Sequence, residues 1–215
     1  MQGLYLVTPD WDDTARLVDT TRAALNAGAA LVQYRHKQAS PALRLEQGAA
    51  LLALCRRYRR PLVINDHVYL CLTLGADGVH LGASDASLRA AREALGPDKI
   101  IGASCYGELS LAHLAQAAGA SYAAFGGFYK SVVKQYDFVT EPALVERARA
   151  ELALPLVVIG GMTPTNAAPL VARGADMVAA VSSIYCAPDP GAAARAFDAL
   201  FALPRAACGK TSQAL

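Results

Sequence analysis

Asp66 and Asp85 each follow a short apolar run, and they stand 19 residues apart. Leu62-Val63-Ile64 leads into Asn65-Asp66, and Val79-His80-Leu81-Gly82 leads into Ala83-Ser84-Asp85. That interval is about one strand-helix-strand step. If the runs are neighbouring parallel strands, the two carboxylates reach one rim. There they could hold Mg²⁺ and leave coordination positions for water and phosphate oxygens. Upstream, Leu31-Val32 runs into Gln33-Tyr34-Arg35-His36-Lys37. Strand alternation aims Gln33, Arg35 and Lys37 to one side and Tyr34 and His36 to the other. Arginine brings a planar fork for phosphate oxygens and lysine a point charge. An acidic pair beside a cationic cradle suits a magnesium-bound diphosphate. Plainer readings stand beside this one: the two aspartates as helix N-caps, the basic cluster as a solvated turn.

Further candidates follow the later apolar runs. Ser104 ends Ile100-Ile101-Gly102-Ala103-Ser104. Phe125-Gly126-Gly127-Phe128-Tyr129-Lys130-Ser131-Val132-Val133-Lys134 is glycine-rich, basic and hydroxyl-bearing. Such a loop could close over an anion or simply connect two elements. Gly160-Gly161 and Val181-Ser182-Ser183 follow the last two runs, where backbone N–H groups can approach a phosphate. His67 and His80 lie beside strands and read as packed or hydrogen-bonded side chains. Two anion sites on one rim, one metal-assisted and one metal-free, describe a two-substrate transferase that releases diphosphate.

The elements that must position these residues alternate from end to end. The pattern predicts strands at 3–8, 30–35, 62–65, 77–81, 99–104, 121–125, 155–160 and 176–182. Helices are predicted at 12–28, 41–59, 67–75, 86–96, 108–119, 141–152, 163–173 and 189–203. Eight such units in one domain, residues 1–203, predict a (β/α)8 TIM barrel, whose active site lies at the C-terminal strand ends. A Gly-Ala step recurs before strands, as in Gly75-Ala76-Asp77, Gly119-Ala120-Ser121 and Gly174-Ala175-Asp176. A flavodoxin-like sheet could use it too, but eight units exceed that fold's five strands. Residues 204–215 carry no pattern and are expected to be a disordered tail.

Composition narrows the partners. The chain has 215 residues, is 54% hydrophobic and carries a formal charge of +2. Its mean hydropathy is +0.26. A large core is expected, and no clustered basic face points to nucleic acid. Five scattered cysteines, Cys55, Cys71, Cys105, Cys186 and Cys208, form no CxxC pair, which fits a reducing cytoplasm. No leader and no membrane span are predicted. A homo-oligomer is compatible with the helix faces, although none is singled out.

Taken together, these segments resemble the thiamine phosphate synthase family, from about residue 3 to about residue 200. The resemblance is carried by Leu4-Tyr5-Leu6-Val7-Thr8, Gln33 to Lys37, Ile64-Asn65-Asp66, Gly75 to Asp85 and Ile101 to Ser104. It continues through Phe125-Gly126, Ser131 to Lys134, Ile159-Gly160-Gly161 and Val181-Ser182. It implies condensation of 4-amino-2-methyl-5-hydroxymethylpyrimidine diphosphate with 4-methyl-5-(2-phosphoethyl)thiazole, plain or carboxylated, to give thiamine phosphate and diphosphate. It also implies roles. Gln33, Tyr34, Arg35, His36, Lys37, Asn65, Ser104 and Lys134 would hold the pyrimidine diphosphate. Asp66 and Asp85 would bind Mg²⁺, and Ser131, Gly161, Val181 and Ser182 would hold the thiazole phosphate.

One loop departs from the family. Its usual Pro-Thr-x-Thr-Lys reads Lys130-Ser131-Val132-Val133-Lys134 here, so Ser131 keeps a hydroxyl and Val133 has none. Two alternatives accompany this reading. A related thiazole tautomerase shares the barrel but uses a histidine after the fifth strand, where this chain has Cys105-Tyr106-Gly107. A non-catalytic binder of thiamine intermediates fits Val133 but not the retained charged set.

Overall fold

Tyr5 and Val7 pack into one apolar layer and Leu4 and Leu6 into another, and the whole architecture follows from that alternation. The structure, a computed structural model, describes residues 1–82, 85–130 and 138–202, and of Asp85 and Ala86 only the backbone. The predicted tail at 204–215 lies outside the described residues.

The strands are β1 (Gly3–Val7), β2 (Leu31–Tyr34), β3 (Leu62–Asn65), β4 (Gly78–Gly82), β5 (Ile100–Tyr106), β6 (Tyr122–Phe125), β7 (Leu156–Ile159) and β8 (Met177–Ala180). Each pairs in parallel with the next, and β8 closes on β1. The helices are α1 (Thr14–Asn26), α2 (Pro41–Tyr58), α3 (Val68–Leu74), α4 (Asp85–Leu95), α5 (Leu109–Ala117), α6 (Ala143–Glu151), α7 (Pro164–Ala172), α8 (Ser182–Tyr185) and α9 (Pro190–Asp198). This is the expected (β/α)8 TIM barrel. Inward residues such as Tyr5, Leu31, Val63, Tyr122, Val157 and Met177 fill the barrel. Outward residues such as Leu6, Val32, Ile64 and Val158 pack under the helices. Covering both faces is what makes the strands apolar throughout.

The recurring step before the strands now has a physical cause. The Asp77 carboxylate accepts the Leu62 N–H at 2.8 Å, and the Asp176 carboxylate accepts the Leu156 N–H at 2.8 Å. Ser121 Oγ accepts the Ile101 N–H at 3.0 Å in the same way. At three places, then, a polar side chain at the start of one strand ties down the start of its neighbour.

Two elements differ from expectation. The four-residue helix α8 was not foreseen, because one turn is too short to show a period. The last helix stops at Asp198 and passes into a 3-10 turn at Ala199–Phe201 instead of running on to residue 203.

Candidate active site

All eight strands, or the loops that follow them, border a cavity of about 240 Å³ at the C-terminal end of the barrel. Gln33, Arg35 and Lys37 line it. Tyr34 and His36 do not, because alternation turns them outward. Tyr34 donates its hydroxyl to Gln47 Oε1 at 3.0 Å, and His36 Nε2 lies 3.0 Å from Asp12 Oδ1. Both border a second cavity of about 190 Å³ that shares Lys37, Asn65 and Asp66 with the first.

Arg35 is held where it is by the end of β1. Buried Thr8 donates its hydroxyl to the Arg35 carbonyl at 2.9 Å and accepts the Arg35 N–H at 2.8 Å. Asp10 accepts from Arg35 Nη1 at 3.2 Å and from the Lys37 N–H at 2.9 Å. The cationic turn is therefore shaped before any anion arrives.

Asn65 and Asp66 line the cavity at the end of β3. Asp66 has φ +61°, a left-handed conformation uncommon outside glycine. Its N–H donates to the His80 carbonyl at 3.0 Å, and its Oδ2 accepts from Asn65 Nδ2 at 2.7 Å. Asp85 opens α4, and its side chain lies outside the described residues. Among the described residues no group of three or more His, Cys, Asp or Glu is placed to hold a metal ion. Of the predicted acidic pair, only Asp66 is therefore placed.

Ser104, also lining the cavity, ends a hydrogen-bonded chain that crosses the barrel. Gln33 Nε2 donates to Tyr5 Oη at 2.6 Å, and Tyr5 Oη lies 2.6 Å from Tyr122 Oη. Tyr122 Oη lies 3.0 Å from His80 Nδ1, and His80 Nε2 lies 2.9 Å from Ser104 Oγ. Burial pushes both phenols well above their usual pKa, so each keeps its single proton. Tyr122 also stacks on His80 and meets Tyr5 edge-on. Gly102 makes this possible, since a Cβ there would overlap the Tyr122 ring. Sequence reasoning passed over Tyr5 and Tyr122 and gave His80 only a packed or hydrogen-bonded place. The available signal was a tyrosine at an inward position of a small-residue strand, where a buried hydroxyl must find a partner.

Across the cavity lie Gly161, Val181 and Ser182. Gly161 has φ +61°, and a Cβ there would run into the Lys130 carbonyl, so the loops after β6 and β7 pack backbone to backbone. Asn166, in the first turn of α7, donates to the Gly161 carbonyl at 2.9 Å. Tyr129 donates to the Asn166 carbonyl at 3.0 Å. The predicted Ser131 and Lys134 lie outside the described residues.

Residues 4–184 match the thiamine monophosphate synthase family. The chain belongs to that family. It is 60% identical over 202 residues to the thiamine-phosphate synthase of Janthinobacterium sp. (strain Marseille), covering 94% of this chain and 98% of that one. It is 51% identical over 201 residues to the thiamine-phosphate synthase of Methylobacillus flagellatus, covering 94% of this chain and 96% of the other. The solved thiamine phosphate pyrophosphorylase from Pyrococcus furiosus superposes with a TM-score of 0.80 at 31% identity, over 93% of this chain and 95% of that one. A solved 3-hexulose-6-phosphate synthase, at 19% identity and TM-score 0.71, shares the fold. The chain is an enzyme, as its named relatives are. Among the described residues no helix is long and apolar enough to cross a membrane.

Proposed function

We propose that the chain is a cytoplasmic transferase joining 4-amino-2-methyl-5-hydroxymethylpyrimidine diphosphate to 4-methyl-5-(2-phosphoethyl)thiazole. The products are thiamine phosphate and diphosphate. One observation carries this reading: a single cavity has Gln33, Arg35, Lys37, Asn65, Asp66 and Ser104 on its β2–β5 side and Gly161, Val181 and Ser182 on its β7–β8 side. The first set suits the pyrimidine diphosphate and the second the thiazole phosphate.

Asp66 and Asp85 would hold Mg²⁺. The donor chemistry fits: carboxylate oxygens suit a hard cation, and Asn65 already steadies one edge of the Asp66 carboxylate. When bound, the ion supplies positive charge beside the diphosphate. The exocyclic carbon–oxygen bond of the pyrimidine then breaks with its electron pair leaving on diphosphate. Arg35 and Lys37, which line the cavity, would meet that growing negative charge, and the resemblance implies the same role for Lys134. The electron-rich aminopyrimidine stabilises the methylene cation, and the thiazole nitrogen lone pair closes the new carbon–nitrogen bond. No protein nucleophile is consumed, so the cavity contributes position and electrostatics. The Ser182 hydroxyl, with backbone N–H groups around Gly161 and Ser182, would hold the second substrate's phosphate without a metal.

A pair of substitutions tests the two-sided reading. Lys37→Gln should raise KM for the pyrimidine diphosphate and leave KM for the thiazole phosphate near its original value. Ser182→Ala should do the reverse. If both variants change the same KM, the assignment of the two sides is wrong.

A further inference from the structure

We propose that the Tyr106 ring covers the reacting methylene carbon and keeps water from it, so that the cation formed as diphosphate leaves is captured by the thiazole and not hydrolysed. The proposal rests on the transferase reading above and adds a residue that this reading does not use.

Among the described residues, three other than glycine have a positive φ: Arg59, Asp66 and Tyr106. Arg59 closes the C-terminus of α2, a usual place for a left-handed residue. The other two line the cavity. Tyr106 has φ +52°, and a bulky residue stays in that region only where its surroundings impose it. The surroundings here come from the end of β6. The Tyr106 carbonyl accepts the Gly126 N–H at 2.7 Å, and buried Thr140 donates its hydroxyl to the Gly126 carbonyl at 2.6 Å.

The strand pairing shows what the strained backbone achieves. Between Ser104 and Tyr106 the register of β5 shifts against β6. Ser104 pairs with Ala124, and both line the cavity. Tyr106 pairs with Phe125, which packs into the helix layer, yet Tyr106 lines the cavity. The bulge thus keeps an aromatic residue on the cavity side against the alternation of the neighbouring strand. Its position is the flank where the two sides of the cavity meet. Ser104, two residues earlier, belongs to the β2–β5 side, and β6 leads on to β7 and β8. From β6 itself Ala124 offers that flank only a methyl group.

The reaction needs protection at this junction. Once the carbon–oxygen bond has broken, two nucleophiles compete for the methylene cation. The thiazole nitrogen gives thiamine phosphate. Water gives the pyrimidine alcohol instead: its oxygen lone pair forms the new bond, its spare proton goes to solvent, and diphosphate is released without thiamine phosphate. An aromatic ring excludes water, and its negative face attracts a cation.

The test is the ratio of diphosphate to thiamine phosphate released by the purified protein with both substrates and Mg²⁺. Wild type should give a ratio of one. Tyr106→Asn and Tyr106→Gly remove the ring, and both residues tolerate a positive φ, so the backbone is not strained further. Each should raise the ratio by at least about twofold, the smallest factor a cation–π contact carries. Tyr106→Phe keeps the ring and should keep the ratio at one. A ratio of one in both ringless variants, however slow they are, overturns the proposal, because a merely structural role slows both products alike. A ratio raised as far in Tyr106→Phe overturns the assignment to the ring. A wild-type protein that makes no thiamine phosphate defeats the transferase reading and this proposal with it, whereas a coupled wild type with coupled variants defeats the proposal alone.

Discussion

The Asn65 side-chain amide donates to Asp66 Oδ2 at 2.7 Å while the Asp66 backbone is held left-handed at φ +61°. A carboxylate fixed from both its backbone and its side chain is presented at one point of the rim. The two constraints separate in substitution. Asn tolerates the left-handed region and removes the charge, so Asp66→Asn should keep the melting temperature and lose at least about 10²-fold in turnover. Ala does not tolerate it, so Asp66→Ala should lose activity by several orders of magnitude and about 1–2 kcal/mol of stability. That loss corresponds to a fall in melting temperature of roughly 2–8 °C. Near-normal Mg²⁺-dependent turnover in either variant would reject the metal assignment, and equal melting temperatures would reject the strain.

The loop that departs from the family invites a reversion. Val133 offers no side-chain donor where the family has a hydroxyl. Val133→Thr should hold or improve affinity for the thiazole phosphate, read from its KM. A large loss of affinity would mean that the loop meets the phosphate in another way.

Gly102 underlies the crossing chain of hydrogen bonds. A Cβ at this position meets the Tyr122 ring, which has no free space to retreat into at 0% exposure. Gly102→Ala should cost about 1–3 kcal/mol through overpacking and lower activity by shifting Tyr122. Calorimetry and steady-state kinetics on the same preparation check both, and an unperturbed melting temperature would contradict the packing argument.

Alkaline pH should destabilise the fold. Burial pushes the Cys105 thiol, and burial together with the Asp77 charge pushes the Cys55 thiol, from the usual 9.0 up to about 12. The folded state favours the protonated thiol, so the unfolded chain ionises first. This contribution is complete below pH 9 and is lost progressively between pH 9 and pH 12. Thermal melts should show a falling midpoint across that window, and Cys55→Ala or Cys105→Ala should flatten the fall. A wild-type midpoint that stays constant up to pH 12 would contradict it.

The barrel was legible because its signals are local and repeated. Apolar runs of four or five residues alternate with helical patterns, and Gly28, Gly119 and Gly174 mark the helix ends with the positive φ expected of them. Three of the five residues from Gln33 to Lys37 were legible for the same reason: period-two alternation separates Gln33, Arg35 and Lys37 from Tyr34 and His36. The assignment of the latter two to the substrate came from the resemblance instead, and their side chains point to the helix layer. What stayed hidden was long-range. Tyr5 and Tyr122 are 117 residues apart, and Tyr122 and His80 are 42 apart, so only the closed barrel joins their polar ends. The backbone of Asp66 was hidden too, because the sequence shows an aspartate but not its left-handed turn.

The most direct measurement of the central claim is product formation by the purified protein. The 4-amino pyrimidine diphosphate and the thiazole phosphate would be incubated with Mg²⁺, and thiamine phosphate and diphosphate quantified together. The account predicts both products in equal amounts, with formation abolished when Mg²⁺ is chelated. Diphosphate release without thiamine phosphate, or undiminished synthesis under chelation, would contradict it.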